Sequence, residues 1–127
     1  MAITADLIRG HTDTIILSCL LEGDSYGYRI NRAIRDVTGG LYELKEATLY
    51  TAFRRLEEAG YIRSYWGDEA TGARRRYYAI TGRGREEYHR LVAEWMEASR
   101  LINRLIGTDR DAGKQNTTEQ KEDNSHV

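Results

Sequence analysis

The sequence predicts a mainly α-helical chain with one small β-hairpin and a long final helix. Apolar residues recur at helical spacing in several stretches, whereas residues 61–80 contain two short runs rich in aromatic and branched side chains. Proline is absent, so glycine and polar clusters must mark the ends of the elements. The predicted order is three helices, two strands and a fourth helix.

The first two helices are predicted from apolar spacing and from the polar residues beside them. Leu7–Glu22 carries apolar residues about one helical turn apart, and the Gly-Asp pair at 23 and 24 ends it. Ser25 is the predicted N-cap of a second helix over Tyr26–Val37. The glycine pair at 39 and 40 is expected to close that helix.

The third helix begins at Lys45 or Glu46 and has two distinct faces. Its apolar stripe has the spacing i, i+3, i+4 and i+7 and should pack on the core; it consists of Leu49, Ala52, Phe53 and Leu56. The opposite face carries Ala47, Thr51, Arg54 and Glu58, with Thr48, Tyr50 and Arg55 on its flanks. Gly60 suits the left-handed conformation that follows a last helical turn.

The two strands are predicted over Tyr61–Trp66 and Arg76–Ile80, joined by a long polar loop that is basic at its end. A final helix over Arg83–Ile106 repeats apolar residues at alternating steps of three and four, namely Tyr88, Leu91, Trp95, Ala98, Ile102 and Leu105. That heptad spacing is typical of a helix that packs along a partner helix. We therefore expect a homodimer formed through the C-terminal helix.

The organisation of the chain follows from these elements. Its 127 residues are enough for one modest core. We expect a folded domain over residues 1–82, a dimerisation helix over 83–107 and a polar, disordered tail over 108–127. No apolar run is long enough for a membrane span and no secretory signal precedes the first helix, which favours a cytoplasmic location. Cys19, the single cysteine, excludes an intrachain disulfide and should be a small buried apolar group.

The net charge of −1 is at first unfavourable for nucleic acid, but the distribution of charge matters more than its sum. Sixteen of the nineteen basic residues are arginine, and three of them are consecutive at 74–76. Arginine is better suited than lysine to forked contacts with phosphate and guanine.

Helices, hairpin and basic loop occur in the order of a winged helix-turn-helix. In that fold the third helix enters the major groove of double-stranded DNA and the hairpin, or wing, reaches the backbone nearby. Short side chains at the start of the third helix would allow close approach to base edges, and hydroxyl and guanidinium groups would bind phosphates. The predicted DNA-binding residues are Tyr26, Tyr28, Ala47, Thr48, Tyr50, Thr51, Arg54, Arg74, Arg75 and Arg76.

Several of these residues have a purely structural alternative. Three consecutive arginines can be a solvated charge run, and strand alternation points Arg74 and Arg76 away from Arg75. Tyr50 can be an aromatic residue at the edge of the core, and the tyrosines at 77 and 78 are better explained by sheet packing. A winged helix that binds protein instead of DNA is a second hypothesis, against which the basic wing argues.

An enzyme is not expected. His11, His89 and His126 have no metal-ligand spacing with each other or with Cys19. No phosphate-binding loop, dinucleotide fingerprint or nucleophile elbow is present, and no cofactor is implied.

Over residues 5–106 the chain resembles the PadR-type transcriptional regulators. The resemblance lies in the strings from Glu46 to Ile62, from Arg75 to Gly82 and from Ser25 to Tyr28. The single C-terminal helix is similar to that of the small members, and among them to multidrug-binding repressors. The resemblance implies a dimeric repressor bound to an inverted-repeat operator, with half-sites about 10 bp apart.

The same resemblance implies a ligand pore at the dimer interface, in which Trp95 stacks planar, hydrophobic aromatic compounds that release the repressor. The residues lining it would be Leu7, Asp13, Thr14, Ser18, Val92, Met96 and Ser99. Asp13 could balance a cationic ligand, but Ser99 stands where the subfamily has an acidic residue, which weakens the case for cations. Dimer packing alone is an alternative explanation for Trp95. The alternative function is a regulator without this pore that responds to a phenolic acid or a protein partner.

Overall fold

The computed structural model describes residues 2–67 and 74–108. Its elements are α1 (Ala2–Arg9), α2 (Thr12–Leu21), α3 (Gly27–Val37), α4 (Glu46–Glu58), β1 (Ile62–Trp66), β2 (Arg76–Ile80) and α5 (Gly82–Ile106). The predicted mainly helical fold with one antiparallel hairpin and a long last helix is confirmed. The middle of the predicted loop and the predicted tail beyond residue 108 lie outside the described residues.

The prediction of one continuous helix over Leu7–Glu22 is wrong, because two helices meet there. The amide of His11 donates to the carbonyl of Ile8 at 2.8 Å, and the Thr12 hydroxyl donates to the carbonyl of Arg9 at 2.8 Å. These bonds satisfy carbonyls at the end of α1 beside Gly10, a poor helix former. Apolar periodicity continues through the break and therefore conceals it.

Ser25 is not the N-cap of α3, as the sequence predicted; Tyr26 occupies that position. Ser25 instead forms an antiparallel bridge with Tyr78 of β2. The Ser25 amide donates to the Tyr78 carbonyl at 3.1 Å, and the Tyr78 amide donates back at 2.7 Å. The bridge joins the start of α3 to the hairpin.

The turn between α3 and α4 is held by the side chain of Asn31. Its amide group donates to the carbonyl of Leu44 at 2.7 Å and accepts from the amide of the same residue at 2.8 Å. Gly39 and Gly40 both have positive φ directly after α3, so the predicted closure by the glycine pair is confirmed. These contacts fix where α4 begins.

The core lies between the helices and one face of the hairpin. Phe53 of α4 stacks on Tyr78 of β2 with ring centroids 3.9 Å apart, and both are buried. The other buried apolar residues are Ile16, Leu17, Leu20, Ile30, Ile34, Leu44, Leu49, Ala52, Leu56, Ile62 and Ala79. All four residues of the predicted apolar stripe of α4 are therefore buried.

The chain forms two compact units, of which the first ends at Arg90 and the second begins at Leu91. In the second unit α5 exposes large apolar side chains, namely Trp95, Met96, Leu101, Ile102, Leu105 and Ile106. None of the described helices has the length and apolarity that a membrane crossing requires.

Candidate nucleic-acid interface

The exposed face of α4 carries the short residues that the sequence assigned to it. Ala47 and Thr51 are exposed and Thr48 is half-buried, while Leu49 behind them is buried. Lys45, the N-cap, makes no side-chain capping hydrogen bond with the first amides of α4. A helix N-terminus of this kind has unsatisfied N–H groups and favours anions.

Tyr50 packs at the edge of the core and is also partly exposed. Its ring packs edge-on against Phe53 at 5.6 Å, yet 44% of the residue remains exposed. Its hydroxyl lies over Gly27, where a Cβ atom would be only 2.8 Å away. Glycine at position 27 therefore lets α3 approach Tyr50 closely.

The two arginines in the middle of α4 differ in their partners. Within the described residues Arg54 is exposed and carries no salt bridge. Arg55 forms an ion pair with Asp13 of α2, across 42 positions of sequence.

An open groove runs beside the exposed face of α4, and its lining includes Arg9 of α1. The sequence had not assigned Arg9, because the break that ends α1 there was not predicted. The lining residues are Arg9, Thr12, Ala47, Thr48, Thr51, Ala52 and Arg55.

The wing arginines fall into two groups, as strand alternation predicted. Arg74 and Arg76 lie over the ring of Trp66 at 5.2 and 5.9 Å, whereas Arg75 lies over the ring of Tyr26 at 4.6 Å. Trp66, an exposed residue opposite Arg76 in the hairpin, had not been singled out from the sequence.

Arg76 is further held by the last turns of α4. Its guanidinium donates to the Ser64 hydroxyl oxygen at 2.8 Å and lies 3.4 Å from a carboxylate oxygen of Glu57. The Ser64 hydroxyl in turn donates to Glu57 at 2.6 Å. Arg76 therefore links the wing to α4, which reduces its availability to a phosphate.

Tyr26 connects the start of α3 with the wing. Its half-buried ring meets the ring of Tyr77 edge-on at 5.4 Å, and Arg29 lies over it at 4.7 Å. Tyr28, in the first turn of α3, is exposed. Arg29 was not predicted as a site residue, although its spacing of three from Tyr26 places both on one side of the helix.

The surroundings of two wing tyrosines raise their pKa values. Burial raises the pKa of Tyr78. The pKa of Tyr65 is raised chiefly because its hydroxyl donates a hydrogen bond to Asp24, at 2.5 Å. The Tyr65 ring also stacks on Tyr77 at 5.7 Å, which braces the ring beside Tyr26.

The residues predicted to line a ligand pore fall in both units. In the first unit Leu7 is 72% exposed, Ser18 is exposed and Thr14 is half-buried, while Asp13 holds Arg55. In the second unit Trp95 and Met96 are exposed, and Val92 and Ser99 are half-buried. The Ser99 hydroxyl donates to the Met96 carbonyl at 3.1 Å. Across ranges 2–67 and 74–108 no cluster of side chains could hold a metal ion.

Comparison with known proteins gives a consistent result. Residues 16–90 match the model of the transcriptional regulator PadR-like family. The structure is similar to a transcriptional regulator from Clostridium thermocellum, with 53% identity, a TM-score of 0.73 and coverage of 79% of this chain and 97% of that one. It is also similar to a PadR family regulator from Clostridium difficile, with 32% identity, a TM-score of 0.65 and coverage of 76% and 98%.

A third structure shares the fold alone. It is PadR from Bacillus subtilis in complex with operator DNA, at 24% identity and a TM-score of 0.57. The alignment covers 63% of this chain and 45% of that one.

Proposed function

The chain belongs to the PadR-like family of transcriptional regulators, which are not enzymes, and on that premise we propose that it is a dimeric repressor that binds operator DNA through α4 and the wing. The observation that carries the proposal is the face of α4 that exposes Ala47, Thr51 and Arg54. Short side chains and an uncapped N-terminus suit the floor of a major groove. The Bacillus subtilis relative, described in complex with operator DNA, supports this use of the fold.

The test of the DNA-binding face is the variant Ala47→Glu. Ala47 is exposed in the first turn of α4, where a carboxylate is compatible with the helix dipole, so folding should be retained. The same carboxylate would repel phosphates and bases, and we expect at least about a tenfold loss of affinity, since this is the cost of one misplaced contact.

The measurement is footprinting and bandshift titration on the DNA upstream of the chain's own gene. Glu58→Ala, at the exposed far end of the same helix, is the matched control and should bind as the wild type does. An unchanged footprint with Ala47→Glu would exclude α4 as the recognition helix.

Dimerisation is proposed through the second part of α5. Three residues of the predicted heptad pattern, Trp95, Ile102 and Leu105, are exposed there beside other apolar side chains, and an exposed apolar surface on a helix favours a partner helix. Two α4 helices related by a twofold axis would then bind half-sites of an inverted repeat.

The effector proposed first is a planar, hydrophobic aromatic compound bound at Trp95, as in the lactococcal multidrug-binding repressor LmrR that the sequence resembles. Trp95 is 49% exposed in the single chain, and this exposure is compatible with stacking on a ligand or packing on the partner helix. The remaining pore residues of the proposal are Leu7, Asp13, Thr14, Ser18, Val92, Met96 and Ser99.

A regulator without this pore, responding to a phenolic acid or to a protein partner, is the second candidate. Two observations argue against a cationic ligand in the pore and in that respect favour this second candidate. Asp13, the group that would balance a positive charge, is already paired with Arg55, and Ser99 brings no charge.

Tryptophan fluorescence separates the two candidates. The chain has a second tryptophan, Trp66, so the titration uses the variant Trp66→Phe and follows Trp95 alone. A Hoechst-type dye at tens of micromolar should quench Trp95 and release operator DNA at similar concentrations. Emission and DNA binding that both stay constant would leave the second candidate.

A further inference from the structure

Two arginines from different elements lie over the same tyrosine ring. Arg29, in the first turn of α3, has its guanidinium carbon 4.7 Å from the centroid of Tyr26, and Arg75 of the wing lies 4.6 Å from the same centroid. The two guanidinium carbons are therefore at most about 9 Å apart. Arginine on an aromatic face is a favourable contact that orients the planar group.

Neither guanidinium is neutralised in the part of the chain that the structure describes, where no carboxylate forms a salt bridge with Arg29 or Arg75. Other arginines of the same domain are paired, among them Arg35 with Glu43 and Arg76 with Glu57. Two positive charges held near each other without a salt-bridge partner create a positive potential that attracts an anion.

The backbone around the pair is fixed by close packing. The amide of Gly67 donates to the carbonyl of Arg75 at 2.7 Å, and a Cβ atom at position 67 would lie 2.2 Å from the Tyr77 ring. Only glycine therefore allows β1 to close over Tyr77, which meets Tyr26 edge-on. The bridge between Ser25 and Tyr78 holds the start of α3 to the same strand.

We propose that Arg29 and Arg75 together form a binding site for a backbone phosphate of duplex DNA, with Tyr26 as the residue that positions both. A guanidinium lying over a ring leaves its N–H edge free for phosphate oxygens. The site rests on the proposed DNA-binding function and adds Arg29, which the sequence had not assigned. It also assigns the phosphate contact to Arg75 and not to Arg76, because Arg76 is held by Glu57 and Ser64.

The experiment measures affinity for a mixed-sequence duplex of about 30 bp, long enough for two half-sites, over a range of salt concentrations. Full-length wild type is compared with Arg29→Ala and Arg75→Ala. Each variant loses one phosphate contact per protomer, so the slope of log K against log salt should become shallower by about 0.9 per bound protomer, and affinity should fall roughly tenfold or more for every sequence tested. Arg83→Ala is the matched control, because Arg83 also lies over a tyrosine, Tyr61, but outside the wing.

The role of Tyr26 is tested with two substitutions at that position. Tyr26→Leu removes the ring and should make the salt slope shallower, as the arginine substitutions do. Tyr26→Phe keeps the ring and should have the slope of the wild type. Thermal unfolding verifies that each variant is folded. If Tyr26→Leu is unfolded, the salt slopes of the two arginine variants test the proposal by themselves.

The outcomes separate this site from the function on which it rests. A wild-type protein without salt-dependent DNA binding would overturn both. Wild-type binding with an Arg29→Ala slope equal to that of Arg83→Ala would overturn the phosphate site and leave the proposed function standing.

Discussion

Gly82 and Gly84 lie in the first turn of α5 and have different surroundings. A Cβ atom at Gly84 would lie 2.0 Å from the backbone carbonyl oxygen of Tyr61, whereas none of the described atoms lies within 4 Å of the corresponding position at Gly82. A backbone oxygen cannot move away as a flexible side chain can. Gly84 is therefore required for the contact between the start of α5 and the segment before β1.

Gly84→Ala should lower the free energy of unfolding by about 1–3 kcal/mol, the usual cost of forcing an extra methyl group into a packed site. Gly82→Ala is the control and should change it by less than about 1 kcal/mol, or increase it, because alanine restricts the unfolded chain. Urea titration followed by circular dichroism measures both. Equal stability of the two variants would contradict the close approach.

Cys19 is the second residue whose surroundings determine its chemistry. Burial, and then the charge of Glu22, raise the pKa of its thiol. Since the thiolate is the reactive form, a raised pKa lowers its fraction near neutral pH. Alkylation of Cys19, the only cysteine, should therefore be slower in the folded protein than in urea.

The pH profile of the alkylation rate distinguishes a raised thiol pKa from reduced access of the reagent to Cys19. In the folded protein the rate should reach its half-maximum at higher pH than in the urea-unfolded chain. Shielding alone would lower the rate at every pH without moving the midpoint, and a midpoint at equal or lower pH in the folded protein would contradict the raised pKa.

At the scale of elements, the ion pair between Asp13 and Arg55 joins α2 to α4. Both groups are partly solvated, with side chains 34% and 54% exposed, so the pair should contribute no more than about 1 kcal/mol to stability. We expect the pair to have a larger effect on the charge of the groove beside α4, because Arg55 lines that groove together with Ala47, Thr48 and Thr51.

Asp13→Asn should leave the unfolding temperature nearly unchanged and tighten binding to mixed-sequence DNA, with a salt slope steeper by up to about 0.9 per bound protomer. The reason is that Arg55 becomes available to a phosphate. Asp36→Asn changes the net charge equally at an exposed position of α3 and serves as the control. Identical slopes for the two variants would show that Arg55 remains away from DNA.

At the scale of the whole molecule, the exposed apolar surface of α5 predicts the assembly. Ile102 and Leu105 are exposed in the single chain, so charge there should not unfold the protomer. The double substitution Ile102→Glu and Leu105→Glu should convert a dimer into a monomer of 14.6 kDa and abolish cooperative binding to an inverted repeat.

Sedimentation equilibrium measures this mass. Asn103→Glu, which places a glutamate at an exposed position outside the heptad pattern, should remain dimeric. A wild-type protein that sediments as a monomer at micromolar concentration would contradict dimerisation through α5.

The spacing of residues along the chain determined most of the elements. Leu49, Ala52, Phe53 and Leu56 define the buried side of α4 because helical periodicity is a local property, and the same argument placed Thr51 and Arg54 on its exposed side. Gly60, with positive φ after α4, was predictable for the same local reason.

Only the tertiary structure decided which charged groups are free. Arg75 and Arg76 are neighbours in the sequence, yet Arg76 is held by Glu57 and Arg75 lies over Tyr26. Asp13 could not be matched with Arg55 from the sequence, nor Tyr26 with Arg75, because each contact joins residues more than forty positions apart. Local periodicity gives the face of an element, but the partner on that face depends on how the elements pack.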